Sequence, residues 1–430
     1  MFDLAVVGLG PGGMEAVRIA LKNNLSVIAF EKANIGGCCL NVGCIPTKAI
    51  LHSAKTYLGT KKFDKIGLKL NGEIGFDWNK ILDRKDEIVN KFKKASENAL
   101  SKSMTLVKSE AELIVENGEV KIKADSSTYS AKNIIVSTGS IPRELPDLKF
   151  DGQSILSSDD LYNLKKLPKS LAIIGSGAIG IEWGFIMSAF GVETTIIEKM
   201  PSLCPSMDLE ISKRIERILK QNNINFYKND YSVSYIDGKL TLESGNTVNA
   251  EKILVAVGRK PILPNAVKEI DFSSNSRYET NFNNLFVIGD STGFGMLAHS
   301  ASADSQNVMN KILFNKNYED NLIPAVIYTN PEIATIGIKE QDIDDSYTVK
   351  KLPVASVAKS WADDSTDGFI KLIIKDNVIK GACIISNEAS SLIAVIGEFI
   401  LNKTPVTDIE KFVFPHPSYS ELISEVIKRG

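Results

Sequence analysis

One pattern occurs twice in this chain, and it leaves few folds open. Leu4-Ala5-Val6-Val7-Gly8-Leu9-Gly10 runs on to Gly13, and Leu171-Ala172-Ile173-Ile174-Gly175-Ser176-Gly177 runs on to Gly180, 167 residues later. Each copy begins as a short apolar run, passes through G-x-G-x-x-G and enters a stretch of helical texture. A β-branched run follows, Leu25–Phe30 or Val192–Ile197, and ends in a glutamate, Glu31 or Glu198. Both glutamates lie 23 residues beyond the first glycine of their copy. A glycine-rich turn alone is weak evidence. Strand, turn, helix, strand and acid in this order describe a dinucleotide-binding βαβ unit. Gly8 and Gly175 suit the tight turn, Gly10 and Gly177 the close approach of backbone to a pyrophosphate, and Gly13 and Gly180 the packing of helix on strand. The helix N-terminus supplies the positive end of a dipole. Glu31 and Glu198 are expected to accept hydrogen bonds from a ribose diol and to repel a 2′-phosphate.

The remaining texture fits an α/β protein with a further α+β region. At roughly 100–200 residues per domain, 430 residues make two to four domains. Residues 77–103 read as one long helix, and 105–136 as a series of strands ending at Thr138-Gly139. The apolar run Lys252–Val257 meets Gly258, and Leu285–Ile288 meets Gly289-Asp290. From Ile323 onward strands and helices mix without glycine fingerprints. Boundaries are expected near 146, 264 and 322. A formal net charge of −2 provides no global field for nucleic acid or an anionic membrane surface. The most apolar long stretch, Leu171–Val192, carries a central Glu182 and five glycines, a poor spanning helix. The N-terminus lacks a basic start and a long apolar core, so a soluble cytoplasmic protein is expected.

The second strong signal is Gly36-Gly37-Cys38-Cys39-Leu40-Asn41-Val42-Gly43-Cys44-Ile45-Pro46-Thr47-Lys48. Cys39 and Cys44 form a C-x4-C pair just ahead of Pro46, a residue suited to a first helical turn. A thiol at a helix N-terminus has its thiolate favoured. An ideal helix would hold the two Cα atoms about 7.5 Å apart along its axis, beyond the usual disulfide span of roughly 4.4–6.8 Å. The segment is therefore expected to be distorted, with Gly43 relaxing the backbone. Small buried core cysteines and half of a zinc site are the other readings. Zinc lacks support, because the chain has five cysteines without a second suitable pair and only three histidines. No metal site is expected.

At these residues the chain resembles the FAD-dependent pyridine-nucleotide disulfide oxidoreductases, most closely their dihydrolipoamide-oxidising branch. The likeness extends over nearly the whole sequence. Thr138-Gly139-Ser140 resembles a turn beside the flavin nucleotide, and Phe286–Asp290 a second FAD motif whose aspartate holds the ribityl chain. Met296-Leu297-Ala298-His299 is similar to the segment under the flavin, and His416-Pro417-Ser418-Tyr419-Ser420-Glu421 to a C-terminal acid–base motif. The resemblance implies FAD on residues 1–145 and 265–321, NAD on 146–264 near Gly258, and an interface domain at 322–430 that makes a homodimer. It implies that Cys39 exchanges with substrate, Cys44 faces the flavin, and His416 held by Glu421 moves a proton. It also implies an ion pair between Lys48 and Glu182 beside the flavin. The expected reaction is dihydrolipoamide + NAD⁺ to lipoamide + NADH + H⁺, in the service of a 2-oxoacid dehydrogenase or glycine-cleavage complex. The alternatives are another disulfide or thiol reductase on the same scaffold, or a non-catalytic flavoprotein assembly subunit. Glu198-Lys199-Met200 favours NAD over NADP. One departure is Cys38, which stands where the family usually has threonine.

Overall fold

The computed structural model describes residues 1–100, 104–272 and 278–430. Each copy of the repeated pattern builds a parallel sheet. In the first, the strand Phe2–Val7 leads through the glycine turn into helix α1 (Pro11–Lys22) and the strand Val27–Phe30, which pairs in parallel from Leu4↔Val27 to Val7↔Phe30. The glycines are sterically required. A Cβ on Gly8, at φ +94°, would lie 2.4 Å from the Ser137 carbonyl oxygen, and one on Gly13 would lie 2.0 Å from that of Gly8. Leu4, Ala5 and Val6 are fully buried, as strands of a parallel sheet covered on both faces should be.

The redox segment follows as a short helix, α2 (Gly37–Val42), and a longer one, α3 (Cys44–Thr60), and then comes α4 (Trp78–Leu100). The long helix expected over 77–103 is therefore present to Leu100, and residues 101–103 lie outside the described residues. The second copy repeats the design. The strand Ser170–Ile174 leads through α5 (Ala178–Ala189) to the strand Glu193–Glu198, and the two strands pair in parallel from Ser170↔Glu193 to Ile174↔Ile197. Helix α6 (Leu209–Gln221) begins at Asp208, whose side chain caps it by accepting from the Glu210 N–H at 2.9 Å.

The chain then returns to the first sheet. The strand Leu285–Val287 pairs with Ala131–Val136, giving the spatial order 285–287, 131–136, 2–7, 27–30, 105–107. Helix α7 (Ala298–Phe314) packs on α1, where Ser305 Oγ donates to the Gly12 carbonyl at 2.6 Å. The last part is a five-stranded antiparallel sheet, ordered 325–327, 332–337, 378–386, 369–375, 348–353, with the helices Ala389–Leu401 and Glu421–Arg429 in one core with it. The expected class, two Rossmann-like units and a C-terminal α+β unit, is the observed one. A buried ion pair joins the last two parts: Lys371 Nζ lies 2.7 Å from Asp208 Oδ1, both side chains almost fully enclosed. Among the described residues no helix is long and apolar enough to cross a membrane.

Candidate active site

The cysteine pair spans a break between two helices. Cys39 sits inside α2, and Cys44 is the first residue of α3. A distorted segment was expected; the distortion is a full interruption at Gly43. There is no room for a side chain there, since a Cβ would lie 2.9 Å from the Cys38 carbonyl oxygen and 3.2 Å from Cys39 Cα. The Gly43 carbonyl is gripped by three donors: Thr47 N–H at 3.1 Å, Thr47 Oγ1 at 2.6 Å and the Tyr162 hydroxyl at 3.1 Å. Tyr162 is buried, its ring edge-on to Trp183 of α5 at 5.3 Å.

The two thiols are electrostatically unequal. Cys39 shares its proton with Cys44, which pushes the Cys39 thiol well above its ordinary range, and burial adds to this. The same hydrogen bond lowers Cys44 to about 7; burial and Glu182 oppose the shift, and Lys48 favours it. Lys48 lies one turn along α3, with Nζ 2.8 and 3.1 Å from the two carboxylate oxygens of Glu182 on α5. Glu182 also accepts the Tyr328 N–H at 3.0 Å, and the Lys48 ammonium stands 4.4 Å from the centre of the Tyr328 ring. The ion pair expected from the sequence is present. It ties the redox helix, the second nucleotide unit and the start of the C-terminal unit together at one point.

A cavity of about 910 Å³ opens from these groups along the first glycine loop, within the usual ligand-site range of roughly 300–1,000 Å³. Gly10, Glu31, Cys39, Cys44, Asp290 and Leu297 all line it. Its walls suit FAD. Gly10 has open space where a Cβ would be, and α1 begins there without a side-chain cap, so its first N–H groups remain available for a pyrophosphate. Glu31 takes the Leu9 N–H on Oε2 and the Ala33 N–H on Oε1, both at 2.8 Å, which leaves acceptor capacity on each oxygen. Thr138 and Gly139 form the turn opposite, with the Gly139 N–H on Ser291 Oγ at 2.8 Å. Asp290 accepts from Ser140 Oγ at 2.5 Å, and Arg259 Nε donates to that same hydroxyl at 2.8 Å. Met296, Leu297 and Ala298 border the cavity at the N-terminus of α7, which also lacks a side-chain cap. Cys38 lines it as well; burial pushes its thiol up to about 11, and Sγ faces the Val42 carbonyl at 3.7 Å. His52 stands exposed at the cavity wall.

The second loop borders the same cavity through Ala178, Ile179 and Glu182 of α5. Gly175 and Gly180 are again sterically obligatory: a Cβ on either would fall 2.5 Å or less from a carbonyl oxygen, while Gly177 and Gly258 face open space. Glu198 is almost fully buried and accepts from Ser176 and Met200. His416 and Glu421 form a separate unit. His416 Nδ1 lies 2.8 Å from Glu421 Oε1, and Glu421 Oε2 takes the Ser418 N–H at 2.9 Å. Those contacts outweigh burial and hold the Glu421 carboxyl below its usual range. The imidazole is 71 % exposed and does not line the cavity of its own chain. Tyr162 and Tyr328 were not singled out from sequence as site residues.

The family profile described as pyridine nucleotide-disulphide oxidoreductase matches residues 2–305, and that family's dimerisation domain matches 323–427. The chain belongs to this family. It is an oxidoreductase of the pyridine nucleotide-disulphide class and carries that class's dimerisation domain. FAD and NAD are the cofactors of its dihydrolipoyl dehydrogenase type. The chain is 32 % identical to the dihydrolipoyl dehydrogenase of Mycoplasma genitalium, over 100 % of this chain and 98 % of that protein. It is 33 % identical to that of Geobacillus stearothermophilus, over 98 % and 95 %. In fold it is similar to LpdA from Mycobacterium tuberculosis, with a TM-score of 0.92 at 24 % identity over 99 % of both chains. The HOCl-induced flavoprotein disulfide reductase RclA from Escherichia coli has a TM-score of 0.85 at 22 % identity, also over 99 % of both.

Proposed function

We propose that this enzyme oxidises dihydrolipoamide with NAD⁺, giving lipoamide, NADH and H⁺. The observation that carries the reading is the unequal thiol pair across the break between α2 and α3. One thiol is favoured as a thiolate, the other as a thiol, and both line a cavity that also holds the first glycine loop. Bound FAD supplies two-electron transfer between that dithiol and the nicotinamide. Cys39 exchanges with the substrate sulfurs, and Cys44, favoured as thiolate by the hydrogen bond from Cys39 and the Lys48 ammonium, is the thiol next to the flavin site. Lys48 is in turn fixed by Glu182. Oxidising a dithiol releases protons, and an imidazole titrates in the right range to take one. With Nδ1 engaged by Glu421, His416 keeps Nε2 for the substrate thiol.

The domain reading follows the sheets: residues 1–145 and 265–321 as the FAD-binding part, 146–264 as the NAD-binding part, 322–430 as the interface. Support comes from the strand Leu285–Val287 completing the first sheet. We place the enzyme in the cytoplasm, serving a 2-oxoacid dehydrogenase or glycine-cleavage complex through protein-bound lipoamide. The deciding experiment measures NADH formed from dihydrolipoamide beside NADPH consumed with oxidised glutathione. Turnover in the first and none in the second is expected; the reverse would make the chain a different disulfide reductase of the family.

A further inference from the structure

The two copies of the repeated unit treat their terminal acid differently. Glu31 receives one backbone N–H on each carboxylate oxygen, from Leu9 and Ala33. Glu198 receives two donors on Oε2, the Ser176 N–H at 2.9 Å and the Ser176 hydroxyl at 2.6 Å, and one on Oε1, the Met200 N–H at 2.8 Å. A carboxylate offers about four lone-pair sites. Glu31 therefore keeps one on each oxygen, and Glu198 keeps one, on Oε1. The difference traces to a single position of the repeat: Leu9 in the first loop is Ser176 in the second.

Ser176 is itself held. It is fully buried, and Cys204 approaches it twice, with its N–H on Ser176 Oγ at 3.0 Å and its thiol on the Ser176 carbonyl at 3.1 Å. Cys204 adopts φ +49°, a left-handed conformation uncommon outside glycine, asparagine and aspartate. Burial pushes its thiol up to about 12, which keeps the sulfur a neutral donor. Because Cys204 N–H occupies the acceptor side of the Ser176 hydroxyl, the hydroxyl proton is directed at Glu198. Neither residue has a role in the proposed redox chemistry.

We infer that Ser176, braced by Cys204, is a specificity-positioning residue of the second nucleotide loop: it immobilises Glu198 so that one carboxylate oxygen is presented to a ribose hydroxyl and the charge cannot turn away from a 2′-phosphate. The inference rests on the reading that this loop takes NAD. A freely rotating carboxylate could swing aside and tolerate the extra phosphate; one held by three donors cannot do so without losing them.

The test is equilibrium titration of the oxidised FAD-loaded dimer with NAD⁺ and with NADP⁺, by calorimetry, in the native enzyme and four variants. Ser176→Ala should lower the ratio of the NADP⁺ to the NAD⁺ dissociation constant about tenfold, the worth of one hydrogen bond to a charged group. Ser176→Thr, which keeps the hydroxyl, should restore most of the ratio. FAD content and melting temperature report folding. If Ser176→Ala fails to hold FAD, Cys204→Ala carries the test, since it removes the thiol contact and keeps the backbone donor; a fall of about threefold is expected. An unchanged ratio in folded Ser176→Ala, with Glu198→Gln lowering it, overturns the inference and leaves the NAD reading standing. No preference for NAD⁺ in the native enzyme, or none lost in Glu198→Gln, overturns that reading and the inference with it.

Discussion

A thiol at the first position of a helix meets N–H groups that no carbonyl has claimed, and Cys44 holds that position in α3. Three neighbours then set its titration: the Cys39 thiol and Lys48 favour the thiolate, and Glu182 opposes it. After reduction with about one equivalent of dithionite, the holoenzyme should develop a long-wavelength thiolate-to-flavin absorption that grows with pH, with its midpoint near 7. The sign follows from a lowered value: the thiolate is present above the midpoint and lost below it. Cys39→Ala removes the largest stabilising contact and should move the midpoint up; Lys48→Met should do the same. Cys44→Ser should abolish the band. A band that survives in Cys44→Ser and vanishes in Cys39→Ala would exchange the two cysteines. The carboxylate of Glu31 and the imidazole of His416 were readable from sequence because their partners lie close by along the chain or within a repeated unit. Tyr162 was not: its contact with Thr47 spans 115 residues, and nothing local to Asp160–Asn163 announces it.

Between elements, the contact most exposed to a single change is the one joining α6 to the C-terminal sheet. Lys371 reaches from the strand Phe369–Lys375 to Asp208, the cap of α6, while Asp208 Oδ2 accepts the Glu340 N–H at 3.1 Å. Burial works against the Asp208 charge, but Lys371 and the N–H groups of Glu340 and Glu210 outweigh it and hold the carboxyl below its ordinary range. A depressed carboxyl stabilises the fold fully above about pH 4, and the benefit is lost as pH falls through the lowered value. Lys371→Met should leave Asp208 charged without its ammonium partner and cost about 3 kcal/mol, read as a lower denaturant midpoint. Adding Asp208→Asn should recover much of the loss, because the pair is replaced and not broken. A full loss that persists in the double variant would mean that Lys371 matters through its packed stem instead. The βαβ units were legible because their constraints are local, a glycine Cβ meeting a carbonyl five residues away, as Gly13 meets Gly8. The interruption between α2 and α3 was visible only as a distance conflict between Cys39 and Cys44. Its resolution depends on how the Cys38 carbonyl and Tyr162 close on Gly43, which no spacing encodes.

At the scale of the whole molecule, the acid–base pair and the cysteines are about 370 residues apart in sequence and do not share a cavity within one chain. His416 stands exposed beside Phe412 and Val413, which are exposed too, in the unit matched by the family's dimerisation domain. In a twofold dimer an isologous interface would supply each cavity with His416 and Glu421 of the opposite subunit. Subunit mixing tests this. Cys44→Ser and His416→Ala homodimers should each be nearly inactive with dihydrolipoamide and yet retain FAD. Unfolded together in equal amounts and reassembled, half the dimers are mixed, and each mixed dimer contains one site with both intact cysteines and an intact histidine from the other subunit. Activity should therefore return to about a quarter of the native value, by the counting that the symmetry imposes. If His416 instead acted within its own chain, neither subunit of the mixed dimer would hold a complete set. Activity would then stay at the level of the parents, even with heterodimers verified by mass and FAD bound in full.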